Sequence, residues 1–305
     1  MDIIYDLDNI AHEPTVATIG SFDGVHRGHV AMIEETRRRA SAINLPVTLL
    51  TFATHPRMIF DADPQPFLLS SSRVRMERLA ATGVERCVVF DFNRELAAMT
   101  ALEFMHKILA ERLNVKLLVL GYDHRFGRPV EGEDYEAYIN YGREAGIEVV
   151  RAAQYNEEGL KISSSQVRRA LAVGDVETAA TLLGYRYSIS GTVVHGAALG
   201  REIGFPTANI ELDEPMQLLP LNGVYEVSAT VADRLYRGVM NVGVKPTVTG
   251  CGKRTIELFI IDFAGNLYGC NICVEFVRRL REERRFSSLD ELKAQIVKDV
   301  AEVQR

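Results

Sequence analysis

Residues 18–30 read TIGSFDGVHRGHV. The stretch continues an apolar run at 15–19, with glycine at 20, 24 and 28 and histidine at 26 and 29. A continuous short apolar run is what a strand buried on both faces needs, as in a parallel sheet. Gly20, Gly24 and Gly28 let the chain turn at the strand's carboxyl end and let its backbone approach a ligand. A helix starting near Gly28 would offer free N–H groups and its positive dipole end to an anion. His26 and His29, three apart, fall on one face of that helix start. Strand, glycine turn and helix in this order open a β-α-β unit, whose ligands bind beyond the carboxyl ends of the strands. Neither G-x-x-x-x-G-K-[ST] nor G-x-G-x-x-G is present. The anion reading therefore rests on placement, and on imidazoles that can donate to phosphate oxygens as charge builds.

Working outward, further apolar runs occur at 47–52, 87–90, 117–120 and 147–150. Helical patterns separate them: VAMIEETRRRASAI (30–43), ALEFMHKILAERL (101–113) and EDYEAYINYGREAG (133–146). Thr100 with Glu103 predicts a capping box at the second of these. The alternation predicts a Rossmann-like α/β domain, a parallel sheet with helices on both faces. TFATHPR (51–57), GYDHRFGR (121–128) and KISSSQVRRAL (161–171) follow later strands and so reach the same sheet edge. Ser163, Ser164 and Ser165 beside Arg168 supply hydroxyl donors and a guanidinium, a combination suited to phosphate. A helix cap accounts for one of those serines, not three.

The texture changes after about residue 153. Residues 163–184 read as two short helices broken at Gly174, and from Tyr187 short alternating strands follow at 187–196, 223–231, 236–244, 254–263 and 268–277. Such strands, separated by Gly, Asn, Asp and Pro turns, predict a small antiparallel barrel or sandwich. A last helix is expected over 287–303, capped by Ser288 with Glu291 completing a capping box. The expected division is 1–185 for the α/β domain and 186–305 for the β-domain with its terminal helix.

The chain has 305 residues, 47% hydrophobic and 25% charged, with a net charge of −6. That profile suits two globular domains and argues against broad nucleic-acid or membrane binding. Lacking an apolar run of about 18 residues or a basic leader, the sequence predicts a cytoplasmic protein. Cys270 and Cys273 form a lone C-x-x-C in strand-like sequence, read as small partly buried side chains rather than a zinc or redox site.

Taken together, these motifs resemble the bacterial bifunctional riboflavin kinase/FMN adenylyltransferase (FAD synthetase) family. GSFDGVHRGH, TFATHP, GYDHRFG and ISSSQVR are similar to the motifs of its nucleotidylyltransferase half, in order. GTVVHGAALGREIGFPTANI (191–210), NGVYEV, NVGVKPTV, IELFIIDF, LYG and LREERRFSSLDELKAQI are similar to its kinase half. The resemblance implies conversion of riboflavin and ATP to FMN and ADP, then of FMN and ATP to FAD and pyrophosphate. It also implies Mg²⁺. Oligomeric state stays open.

By the same resemblance, His26 and His29 act on the ATP phosphates and the transition state, with Ser163, Ser164, Ser165 and Arg168 on the pyrophosphate side. Gly20, Phe22, Asp23, Gly24, Gly28, His55 and Asp123 would lie against nucleotide or flavin. In the second half Glu257 would be the base, and Thr207 and Asn209 would hold Mg²⁺ and phosphate oxygens. Gly196, Gly200 and Gly204 would form a flap over the nucleotide, with Arg201 and Pro206 beside it, and Arg281 and Glu283 would flank the flavin. Read without the resemblance, Glu257 is an ordinary strand glutamate on the face opposite Ile256 and Leu258, and residues 278–285 are a solvated charged face. Thr54, His124, Lys245 and Phe259 depart from the family pattern, which has proline, phenylalanine, arginine and histidine there. Competing readings are one retained activity, a flavin sensor or flavin-binding RNA regulator, and adenylylation of another phosphate ester.

Overall fold

Alternate residues of the longer strands in the first half enter two separate cores. The computed structural model describes all residues except 8, 9, 11, 62–64, 123–124, 158–159, 197–199, 201–203 and 245–253. Its first strands are Asp2–Ile4 (β1), Thr15–Ile19 (β2), Val47–Phe52 (β3), Arg86–Phe90 (β4), Val115–Leu120 (β5) and Glu148–Arg151 (β6). Ile19, Leu50, Val88 and Leu118 pack on one side of the sheet. Val16, Leu49, Cys87 and Leu117 pack on the other. With both faces covered, the central strands β2 and β3 are buried at every position, and the sequence there reads as continuous apolar runs.

The strand order is β1-β4-β3-β2-β5-β6. Every neighbouring pair is parallel. Strands β2, β3 and β4 run outward one way and β5 and β6 the other, so the order reverses at β2. In open α/β sheets the binding crevice lies at such a reversal, beyond the strand carboxyl ends. The expected parallel sheet is therefore present, with one strand unforeseen. β1 is three residues pairing only with β4, too short to carry a period.

The helices of this half are Arg27–Ala42 (α1), Arg57–Phe60 (α2), Ser72–Ala81 (α3), Arg94–Ala98 (α4), Ala101–Phe104 (α5) and Tyr135–Glu144 (α6). The Thr100–Glu103 capping box is formed. The helix beyond it differs from expectation, because Met105–Ala110 winds as a π-helix. A two-residue hairpin, Asn156–Glu157 (β7) with Leu160–Lys161 (β8), separates β6 from the serine run, which was expected directly after the strand.

The chain divides into two compact units, Met1–Gln65 with Ser72–Ile162, and Pro66–Ser71 with Ser163–Arg305. The second unit opens with Ser164–Ala172 (α7) and Val176–Leu183 (α8), broken at Gly174, whose φ is +79°. Its strands are Ser188–Val194 (β9), Ala208–Leu212 (β10), Gly223–Val231 (β11), Arg234–Val244 (β12), Arg254–Ile260 (β13) and Asn271–Arg281 (β14). They close an antiparallel barrel in the order β10-β13-β12-β11-β14-β9. β10, hidden within GFPTANI, pairs with both β9 and β13 and closes the ring, which leaves no unpaired edge. Tyr187, Tyr225 and Phe276 are fully buried, their rings meeting at 6.0 and 5.2 Å.

Leu289–Gln304 (α9) ends the chain, with Ser288 as its cap. Glu291 does not complete the expected box. Its carboxylate accepts from the backbone and hydroxyl of Ser287 at 3.0 and 2.8 Å, one residue earlier. The charged run is a solvated face over 282–285, which are exposed, but not at its start. Arg278 pairs with Glu226 at 2.8 Å and Glu302 at 2.7 Å, and Arg281 pairs with Asp299 at 2.8 Å. The carboxylates come from β11 and from α9. Cys87 is buried, Cys273 half-buried and Cys270 exposed.

Candidate active sites

In the first unit the chain leaves β2 at Gly20, whose N–H donates to the Leu50 carbonyl at 3.0 Å. The bend that follows is borne less by glycine than expected. Gly24 is left-handed at φ +77°, but so are Phe22 at +48° and Val25 at +36°. Side chains at positive φ crowd their own backbone and persist only when the surroundings hold them. Phe22, Asp23 and Val25 are all buried.

His26 then caps α1. Its Nδ1 accepts from the His29 N–H at 3.2 Å, so the proton of the neutral ring sits on Nε2. The two imidazoles stack at 3.6 Å with 15° between planes, and the edge of Phe22 meets His29 at 5.3 Å. A Cβ at Gly28 would stand 3.2 Å from the His26 ring and 3.3 Å from the Ile162 carbonyl. That close approach is the reason for glycine at 28. The result is two imidazoles and the start of a helix at the reversal of the sheet, an arrangement able to donate hydrogen bonds to an anion.

His55 lies after β3, its Nδ1 accepting from the Arg57 N–H at 3.2 Å. Asp123 and His124 fall outside the described residues. Arg151 stacks on the Tyr122 ring at 3.9 Å and donates from Nε to the Tyr122 carbonyl at 2.8 Å. Tyr122, Arg125, Tyr135, Tyr138 and Arg151 line a cavity of about 510 Å³ that sequence reading did not find. Burial, aided by Glu133, pushes the Tyr138 hydroxyl up to about 12.

In the second unit Ser163 caps α7 with Ser164 and Ser165 in its first turn, so one serine is a cap, as the sequence predicts. Arg168 donates from Nε to the Phe67 carbonyl at 2.8 Å and lies 5.7 Å from the Phe67 ring.

The barrel assembles a separate constellation. Glu257 on β13 faces Asn209 of β10 on one side and Asn241 of β12 on the other. Glu257, Thr207, Asn241, Arg281, Glu283 and Asp299 line a cavity of about 260 Å³. The alternation expected around Glu257 holds: Leu258 lines a different cleft, of about 610 Å³, with Pro206, Ala208, Phe263 and Tyr268. Thr207 lines both. A Cβ on Gly196 would overlap the Asn209 amide, so the backbone there rests directly on that side chain. Gly200 comes equally close to the Phe205 carbonyl and stands near Thr207 Oγ1, while Gly204 is left-handed at φ +86°. Arg201 and Lys245 fall outside the described residues. The unexpected Phe259 packs edge-on against Phe205 at 5.2 Å.

Asn241 and Asp299 were not singled out from sequence. Asp299 is 3% exposed and takes both Nε and Nη2 of Arg281. Thr207 and Asn209 offer neutral hard oxygens. The described residues hold no cluster of three His, Cys, Asp or Glu that could bind a metal. This donor set fits Mg²⁺ arriving on nucleotide phosphates rather than a cage made by protein alone.

Residues 8–166 match the FAD synthetase family and residues 183–305 the riboflavin kinase family. The bifunctional riboflavin kinase/FMN adenylyltransferase of Pseudomonas fluorescens is 41% identical over 99% of this chain and 96% of its own. The protein belongs to that bifunctional family. The member from Bacillus subtilis (strain 168) is 36% identical over 95% of this chain and 92% of its own. A crystal structure described as a macrolide-efflux protein from Streptococcus pneumoniae matches with a TM-score of 0.88 and 31% identity, over 100% of this chain and 98% of its own. Among the described residues no helix is long and apolar enough to cross a membrane.

Proposed function

We propose that this family member makes FAD in two steps: riboflavin and ATP to FMN and ADP in the barrel, then FMN and ATP to FAD and pyrophosphate at the end of β2. The observation that carries the reading is Thr207, which lines both the 610 Å³ cleft and the cavity holding Glu257. A phosphoryl donor on one side of Thr207 and an acceptor on the other would meet there. We assign residues 1–185 to adenylyl transfer and 186–305 to the kinase, which the two family matches support.

In the kinase step a neutral ribityl hydroxyl must lose its proton as the γ-phosphoryl group leaves ADP. Glu257 accepts that proton. Arg281, held by Asp299, lies on the flavin side with Glu283. Thr207 and Asn209 would hold Mg²⁺, which supplies neutralisation of charge on the transferring phosphate. Gly196 and Gly200 keep the flap backbone tight against Asn209 and Thr207.

Adenylyl transfer needs no protein nucleophile, because the FMN phosphate itself attacks the α-phosphorus and pyrophosphate leaves. The chain's part is to position and to stabilise charge. His26 donates from Nε2, and His29 and the α1 N–H groups favour the developing negative charge. Gly20, Asp23, Gly24, Gly28, His55 and Asp123 shape the nucleotide and flavin pocket. Ser163, Ser164, Ser165 and Arg168 bind the leaving side. Both substrates belong to the cytoplasm, where we place the protein.

The test is product stoichiometry with the purified chain. FMN with ATP should release one pyrophosphate per FAD, and riboflavin with ATP one ADP per FMN. Pyrophosphate release only with a different phosphate ester would refute the flavin assignment.

A further inference from the structure

We propose that Arg75 is a positioning residue for adenylyl transfer, fixing the peptide between Ser21 and Phe22 so that the left-handed turn presents His29. Arg75 lies on α3, in the sequence SRVRMERLAA, and is 5% exposed. Its Nη1 donates to the Ser21 carbonyl at 3.0 Å and its Nη2 to the Phe52 carbonyl at 2.7 Å. One side chain thus ties the first residue past Gly20 to the last residue of β3.

The Ser21 carbonyl shares a rigid peptide plane with the Phe22 nitrogen. Rotation of that plane changes the Ser21 ψ and Phe22 φ angles together. Holding the carbonyl therefore restrains Phe22 near φ +48°, a conformation an L-residue otherwise leaves. The Phe22 ring in turn meets the His29 ring edge-on at 5.3 Å. The line of contacts runs from the guanidinium through one peptide and one ring to an imidazole of the site.

The chemistry of the side chain supports a specific task. Burying a guanidinium is costly, and the α3 residues beside it, Met76 and Leu79, are in the apolar core. A methionine or leucine at 75 would join them at less cost. The fork of arginine can serve two carbonyls at once, which a lysine ammonium on a flexible stem cannot copy. Burial lowers the Arg75 pKa while the charge of Asp23, in the same turn, raises it.

The inference rests on the adenylyl-transfer reading, and the experiment separates the two. Arg75→Lys and Arg75→Ala would be made in the full chain. FMN adenylylation, riboflavin phosphorylation, thermal unfolding and the ring resonances of ¹³C-labelled His29 would be measured on each. We expect Arg75→Lys to stay folded and lose about 100-fold in adenylylation kcat, with KM for ATP and riboflavin phosphorylation changed by less than about threefold. The His29 resonances should shift, and added guanidinium ion should restore part of the kcat of Arg75→Ala. A folded Arg75→Lys with kcat within about twofold of wild type overturns the proposal. So does a loss that only tracks the unfolded fraction, with His29 unmoved. If wild type makes no FAD from FMN, the functional reading fails, and the His29 shift alone decides whether Arg75 sets the turn.

Discussion

At the end of β2 the groups proposed to act are placed by main chain. Phe22 and Val25 sit at positive φ, His26 spends its Nδ1 on a helix cap, and Arg75 grips two carbonyls. In the barrel the groups proposed to act are side chains set opposite one another by strand register. Asn209, Glu257 and Asn241 lie level across three strands, and Arg281 is steered by a carboxylate from α9. The two reactions explain the contrast. A phosphate that is already a nucleophile asks only for donors in fixed places, which a rigid turn and a helix start provide. A neutral hydroxyl asks for a base, which a positioned side chain can supply.

The sharpest way to break this contrast is Glu257→Gln. It should lower riboflavin phosphorylation by about 10²–10⁴-fold and leave FMN adenylylation intact, as read by ADP and pyrophosphate release. Equal loss in both assays would mean that Glu257 is structural. His29→Ala should cost about 10²–10³-fold in FAD formation alone. A normal rate would shift the work to the α1 N–H groups.

Asp299→Ala sharpens the side-chain half. It leaves Arg281 without its carboxylate and should destabilise the second unit by about 2 kcal/mol, less than a fully buried pair because Arg281 keeps 21% side-chain exposure. A raised KM for riboflavin should accompany the lower melting temperature, and Asp299→Glu should recover part of both. The smallest effect is expected in the scaffold of the first unit. Thr100→Ala should cost about 1 kcal/mol by losing the cap of α5, measured by urea unfolding. Bonds from the Thr100 backbone and hydroxyl hold the Glu103 carboxyl below its ordinary range. A lowered carboxyl pKa adds stability above the unfolded value and loses it as pH falls through the folded one. The difference between wild type and Thr100→Ala should therefore shrink in acid.

Much of this was legible in sequence, for identifiable reasons. Two-sided burial wrote β2, β3 and β5 as unbroken apolar runs, and period-two alternation wrote β11 and β13. Thr100 and Glu103 wrote their own helix start. β1 and β10 were illegible because three and five residues carry too little period. Phe22 and Val25 carried no mark, since neither residue type favours positive φ. Arg75 carried no mark either, because burial of a charged side chain is decided by what lies opposite it. Two misses did have a signal. Asn241 interrupts the apolar strand YRGVMNVGV. Asp299 falls on the stripe Leu292, Ile296, Asp299, Val303, where an acidic residue on an apolar helix face marks a buried partner.

The most direct test of two separately built sites is a chromatographic time course of riboflavin, FMN and FAD. The full chain would be stripped of flavin and supplied with riboflavin, ATP and Mg²⁺. Wild type should reach FAD. Glu257→Gln should leave riboflavin unconverted yet still turn supplied FMN into FAD, and His29→Ala should accumulate FMN. If either substitution abolishes both conversions in a folded protein, or if wild type consumes no riboflavin, the account of two sites with two chemistries is wrong.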